Sequence, residues 1–371
     1  MSAIAATVPV DRSLRQRLLV QCKPKNQPAD HRTLLPKERG QSMSVHELKR
    51  SPPADARTPE NSVLLPAALE LLQHWAQVSP LASALRHKRH GHWYNWRWID
   101  AARDVERLAD GLRQQGFDEG SRLALSGLFE PNLLLLALAA QRVGGQVLTL
   151  SDELDPQALR QALWNLRPSH AFVHSRQQLL RWVAAGENSI APQLLIAHQA
   201  VPRLPEGSRQ PVLAFSDLLG SREKPQRQNH WRHPAHAAQL WSEEGTHWPE
   251  GLRVLLHQWL HSGHSLAFPE SRGSASRDRR DVAPSGLLLS GPCLQRLADD
   301  IESRLAPPGS WRRRLCDWAI AQPHRPLQRL LKNRVRRLLG FQRLDYIWQA
   351  PGTPSKSSAP VWLAEFKRNI A

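Results

Sequence analysis

Few of the 371 residues in this chain are of the kinds that staple, stack or span. The three cysteines (Cys22, Cys293 and Cys316) are scattered, which excludes both a disulfide framework and a CxxC zinc pattern. Two tyrosines and seven phenylalanines are too few for the aromatic platforms on which single-stranded nucleic acid stacks. The longest uninterrupted apolar run, Leu133 to Ala140, falls far short of the ~18 residues of a membrane-spanning helix. Acidic residues are scarce as well: 33 Asp and Glu stand against 50 Lys and Arg, a formal charge of +17. That balance favours anionic partners in general. Nucleic acid is nevertheless disfavoured, because neither basic cluster (the first 42 residues and Trp311 to Arg343) lies on a recognisable base-reading element. These absences predict a cytoplasmic protein, soluble or peripheral at a membrane.

What is present is ordinary globular material, 41% hydrophobic and 22% charged, with length for roughly two domains. Fourteen tryptophans are unusual, but most stand singly inside helix-like segments, where packing explains them. Residues 1–62 read as a disordered basic leader, rich in proline and without an apolar period; Met43 is an alternative start. Residues 63–371 read as one folded region. Leu65, Leu69, Leu72 and Trp75 recur at helical spacing, and His92 to Trp96 alternates as a short strand. Asp100 is expected to cap a helix through Ala101, Val105, Leu108, Ala109 and Leu112 that stops at Gly116. Arg122 to Gly127 reads as a strand and turn, Leu133 to Arg142 as a helix, and Gln146 to Leu150 as a strand. A helix from Pro156 to Leu166 and a strand at Ala171 to Val173 follow. Strand and helix alternate with short connections, the pattern of an α/β unit with a largely parallel sheet.

The wording of these elements resembles the N-terminal part of the AMP-forming acyl-CoA synthetases of the long-chain type. Tyr94-Asn95-Trp96-Arg97, followed by Val105, Leu108, Ala109, Gly111-Leu112 and Gly116, is similar to that family's opening strand and helix. Gly120 to Leu125 resembles its next strand, and Leu135 to Leu150, with Gly144-Gly145, the helix and strand after it. Further on, Leu266 to Glu270, Arg280 to Ser285 and Leu294 to Ala298 resemble the long-chain branch. Trp311 to Ala319 and Leu327 to Leu339 look like its helical insertion, with a strand at Leu344 to Ala350. The resemblance implies an α/β fold with mixed and parallel sheets and flanking helices, incomplete relative to the whole family fold. It also implies the family reaction, ATP-dependent adenylation of a fatty acid followed by thioesterification to CoA, with ATP, magnesium and CoA as the family's cofactors.

Adenylation needs a cradle of hydroxyls, glycine amides and a lysine around the pyrophosphate end of ATP. The stretch that resembles the family's cradle is Ser242 to Gly251, in which Gly245, Thr246, Pro249 and Gly251 fit the pattern with one position deleted. The remainder opposes it. Glu250 stands at the lysine position, Glu243 and Glu244 replace hydroxylic residues, and Trp248 fills the space of a glycine. Carboxylates beside a triphosphate repel it. The expectation is a truncated, degenerate relative, inactive alone, that binds none of these cofactors and has no catalytic or metal-ligating residue to assign. The rivals are a non-catalytic binding module and a basic nucleic-acid-binding protein. A module would sit at an acidic membrane surface through Leu327–Leu339, or with a fatty acyl substrate or a partner synthetase. The histidine-rich stretches, His87 to His92 and His230 to His236, lack a metal-binding spacing and read as solvated loops. Cys293 reads as helix-start packing, not as a nucleophile.

Overall fold

The computed structural model describes residues 67–186, 191–198, 210–220, 238–304, 307, 309–321 and 326–348. The expected leader 1–62 with Met43, the His230 to His236 stretch and Ala350 lie outside the described residues.

Five parallel strands form one sheet: β3 (Arg122–Ser126), β4 (Gln146–Thr149), β5 (His170–Val173), β6 (Leu194–Ala197) and β7 (Val212–Ala214), in the order β4-β3-β5-β6-β7. Four of these strands are the continuous apolar runs of a sheet covered on both faces, buried along nearly their whole length. Between β3 and β4 runs α3 (Pro131–Val143), whose first ten residues are all buried. It therefore reads as apolar all round rather than striped. Two further helices, α4 (Pro156–Leu166) and α5 (Arg176–Ala185), begin where local chemistry dictates. Asp155 accepts from Gln157 N and Ala158 N at 2.9 and 2.8 Å ahead of a proline, and Ser175 and Gln178 form a reciprocal capping box. A one-turn helix α6 (Phe215–Leu218) closes this half.

A second sheet runs in the order β11-β10-β8-β9-β1-β2, from β1 (Ser83–Arg89), β2 (His92–Arg97), β8 (Gln239–Trp241), β9 (Ser265–Phe268), β10 (Gly286–Leu287) and β11 (Tyr346–Ile347). Only β1 and β2 pair antiparallel, which makes the sheet mixed. They meet in a two-residue turn at His90-Gly91, both with positive φ, as such hairpins require. The expectation of a solvated loop at His87 to His92 is overturned here. His87 and Lys88 are buried on β1, because Glu130 faces the imidazole and Asp278 and Asp281 receive the ammonium. Burial paired with acids elsewhere in the chain does not show in a local cationic pattern.

The remaining helices are α1 (Ala68–Val78), α2 (Trp98–Gln114), α7 (Gly251–Ser262), α8 (Ala275–Val282), α9 (Gly291–Arg304), α10 (Trp311–Ala321) and α11 (Pro326–Leu339). Asp100 is not the cap of α2 but its third helical residue, accepting from the backbone and guanidinium of Arg97, which occupies the cap. The helices α1, α2 and α7 join through packed indoles. The Trp98 and Trp259 rings lie 5.2 Å apart and nearly parallel, with Trp75 beside Trp98 at 5.9 Å. Their buried N–H groups are satisfied, Trp259 by Ala84 O and Trp75 by Leu260 O.

Apolar residues of α11 divide between core and solvent. Val335 and Leu339 pack on the cluster around Phe341, but Leu327, Leu330 and Leu338 are at least 60% exposed. Arg336 is buried instead, donating to Phe341 O and Leu344 O beyond the helix end. No helix among the described residues is long and apolar enough to cross a membrane.

Candidate functional site

The loop between β8 and α7, Ser242 to Glu250, lies beside the turn after β3, and the two turns clasp each other. Thr246 N donates to Gly127 O at 2.8 Å, Gly127 N to Thr246 Oγ1 at 3.0 Å, and Phe129 N to Glu244 O at 2.9 Å; Leu128 and Gly245 form an antiparallel bridge. Gly127 is required here: at φ 145° a Cβ would lie 2.3 Å from that of His174. Gly245 and Gly251 are also closed in, the first against Gly127 O, the second against Phe129 and Trp248. Gly245, Thr246 and Pro249 thus lie in this loop, and Gly251 opens the helix that follows it. The loop is directed at its own neighbours. The amides of Thr246, Trp248 and Gly251 donate to Gly127 O, Gly245 O and Trp248 O.

Its carboxylates are disposed one by one. Glu244 is buried: Oε1 accepts from Ser290 N at 2.7 Å, and Oε2 lies 2.7 Å from His247 Nε2. On the far side of that imidazole, Nδ1 lies 3.6 Å from Asp152 and 2.9 Å from Arg272, whose guanidinium also reaches Asp152 and Glu153 at 3.2 Å. The carboxylates of Asp152 and Glu244, facing its two ring nitrogens, raise the His247 imidazole to about 9, against the opposing pull of burial. Glu244 is held below the usual carboxylate range: burial pushes it up, but His247 and Ser290 outweigh it. Glu243 accepts from Trp241 Nε1 and Arg279. Glu250 is exposed at the start of α7. Cys293 is buried in the first turn of α9, its thiol pushed up by burial and by Glu244 and Glu243, so it is held as an unreactive thiol.

A second cluster, unforeseen in the sequence, stands where three parallel strands end. Glu130 follows β3, His174 follows β5 and His198 follows β6. The Glu130 side chain is 1% exposed; its Oε1 lies 2.6 Å from His198 Nδ1 and 3.5 Å from His174 Nδ1. Its Oε2 faces Arg89 Nη2 at 3.3 Å and His87 Nδ1 at 3.5 Å. Burial drives the His87 imidazole down to about 3 despite Glu130, so it is neutral, accepting from Arg89 Nε at 2.9 Å. Burial would raise the Glu130 carboxyl, but His198 and His174 hold it well below the carboxylate range. The one available signal was positional: each residue lies just past the carboxyl end of a strand, the edge where open α/β sheets bind ligands.

Residues 72–241 match the family of AMP-binding enzymes. The match ends at Trp241, the last residue of β8, immediately before the clasped loop. This is the adenylate-forming enzyme fold. The A-PCP didomain of carboxylic acid reductase from Segniliparus rugosus, solved in complex with AMP, superposes with a TM-score of 0.56 at 12% identity, covering 83% of this chain and 53% of that one. The adenylation domain of the carboxylate reductase from Mycobacterium chelonae gives 0.55 at 14%, covering 77% and 54%. Among curated proteins, the 2-succinylbenzoate–CoA ligase of Escherichia coli (strain K12) is 36% identical over 101 residues, 27% of this chain and 22% of that protein. The chain thus spans about half the length of these solved adenylate-forming structures and less of the ligase.

Proposed function

We propose that this chain is a relative of the long-chain fatty acid–CoA ligases that keeps the adenylate-forming scaffold without its adenylation chemistry. The observation that carries the reading is the side chain of Glu244, buried within the loop that would have to receive the ATP phosphates. A phosphate cradle works by aiming unoccupied N–H donors and a cation at the anion. Here amides of the loop already donate within the clasp, a buried carboxylate lies inside it, and Glu250 occupies the lysine position. These residues do not fit a magnesium–triphosphate. With ATP, magnesium, pyrophosphate and palmitate, the expected result is no fatty-acid-dependent ATP–pyrophosphate exchange above a protein-free control. E250K alone should not restore it, because Glu244 stays in place. Robust exchange by the unaltered chain would refute the reading.

A second reading, compatible with the first, rests on α10 and α11. Trp311, Trp318, Leu327, Leu330 and Leu338 are exposed on these two helices, and so are Arg334 and Arg337 of α11. Apolar side chains rimmed by guanidinium groups suit the surface of an anionic bilayer, where each cation contributes ~1 kcal/mol. On this reading the chain is a non-catalytic module attached to acidic membrane. It should float with vesicles containing phosphatidylserine and not with neutral ones, and lose flotation when Arg334 and Arg337 are both changed to glutamine. Equal recovery with both vesicle types would discard it.

A further inference from the structure

We propose that Glu130, His174 and His198 form a binding site for a divalent transition-metal ion of the zinc class. Three observations converge on it. First, Glu130 Oε1 and His174 Nδ1 are both buried without a hydrogen-bond partner. His198 Nδ1 comes within 2.6 Å of Glu130 Oε1, an ion-pair contact on the same oxygen. Buried polar atoms are nearly always hydrogen-bonded, so two that stand 3.5 Å apart without such a bond are placed to share an occupant.

Second, the three ligand atoms, one carboxylate oxygen and two imidazole nitrogens, lie within 4.8 Å of one another. Ligands around a tetrahedral zinc with bonds of 2.0–2.1 Å stand about 3.3 Å apart. The 3.5 Å from His174 to Glu130 already has that spacing, and the 2.6 Å contact to His198 needs to open by well under an ångström. Two histidines and a glutamate are a donor set that zinc accepts while keeping a fourth position free. Third, the strand order β4-β3-β5-β6-β7 reverses direction between β3 and β5. Ligands of open α/β sheets sit outside the carboxyl ends of the strands at that reversal. Glu130 and His174 follow those two strands, and His198 follows the next.

The departures from local rules agree. Glu130 takes the cap position of α3, where Ser, Thr, Asp or Asn would be ordinary, and caps no amide. Its side chain turns into the cluster instead. The adjoining cavity carries Glu243, Glu244 and Glu270 on its wall, together with Arg272. Other groups also face the site: Arg89 and His87 hold the second oxygen of Glu130, and Asn132 Nδ2 lies 3.5 Å from His198 Nδ1. None of these blocks Oε1. The other grouping of this kind, Asp152, Glu153 and His247, already has a cation, since Arg272 contacts all three.

Cobalt(II) is the probe, because tetrahedral cobalt absorbs strongly in the visible and reports nitrogen and oxygen donors. The full chain, stripped with chelator, should bind cobalt saturably with that absorption, and zinc should displace it. H174A and H198A should each weaken cobalt binding more than about tenfold, the loss that follows even from removing an outer partner of a metal ligand. His174 is partly exposed, so H174A removes a ligand without emptying the core. His257 and His261, adjacent on α7 with ring centroids 4.2 Å apart, could bind metal weakly, so the double variant H257A/H261A serves as control and should keep the signal. Cobalt binding that is absent from the unaltered chain, undiminished in H174A and H198A, or lost in the control would each overturn the proposal.

Discussion

Replacing Asp278 by alanine is expected to lower the unfolding free energy by about 3–5 kcal/mol, the range for breaking a buried charge pair from one side. The Asp278 side chain is fully buried and gathers four donors. Lys88 Nζ reaches it at 2.9 Å, Arg277 Nε at 3.2 Å, Glu270 N at 3.1 Å and Ser274 Oγ at 2.6 Å. The change would leave the Lys88 ammonium, 8% exposed on β1, with only Asp281. It would also strip an acceptor from the turn that starts α8. D281A removes the other, half-exposed partner of the same lysine and should cost no more than about 1 kcal/mol, as exposed ion pairs do. Denaturant titration of the three proteins measures the difference. A loss for D278A no larger than for D281A would show that burial does not govern this pair.

A second large effect should appear as pH dependence. The His247 imidazole is raised from 6.5 to about 9, chiefly by Asp152 and Glu244, and its side chain is only 15% exposed. A group whose pKa is higher when folded stabilises the fold fully below its unfolded value and ceases to do so as pH passes the folded one. The stability contributed by His247 is therefore whole below about pH 6.5 and declines between there and about 9. The shift corresponds to roughly 3 kcal/mol at 1.36 kcal/mol per pH unit. Glu244 and Asp152, whose carboxyls are lowered, add an acid limb of opposite sign. Their contribution is present above the ordinary carboxylate range and lost as they protonate. Both limbs report one contact and are not additive. Unfolding free energies for the native chain should fall on raising pH from 6.5 to 9.5, and H247Q should flatten the slope. An unchanged slope in H247Q would place the titration elsewhere.

Much of the α/β half was legible because its cues are local. Asp155-Pro156, Pro131 and Gly144-Gly145 set helix ends through backbone donors, acceptors and allowed φ within a few residues, and the strands between them are continuous apolar runs. Gly245, Thr246, Pro249 and Gly251 lie close together for the same reason, being near neighbours in the chain. Two expectations failed where the stabilising partner is distant. His87 and Lys88 read as solvated because the carboxylates that pair them, Glu130, Asp278 and Asp281, lie 43 to 193 positions further along the chain. On α11 the helical period was visible, but which residues of it would be covered was not. That depended on the turn at Phe341, whose carbonyl took Arg336 inside and left Leu327, Leu330 and Leu338 in solvent.

The sequence by itself determined the alternation of strands and helices and the breaks between them, because each depends on side chains acting on their own backbone, and it placed three carboxylates between Ser242 and Glu250. Only the tertiary structure decided what those carboxylates do and that Glu130, His174 and His198 meet. Glu130 and His174 are 44 residues apart, and His198 lies 24 beyond, on separate strands. They converge because parallel pairing in the order β3-β5-β6 sets successive strand ends side by side. Neighbouring strands lie about 4.8 Å apart, which brings side chains at matching ends within reach of one ion.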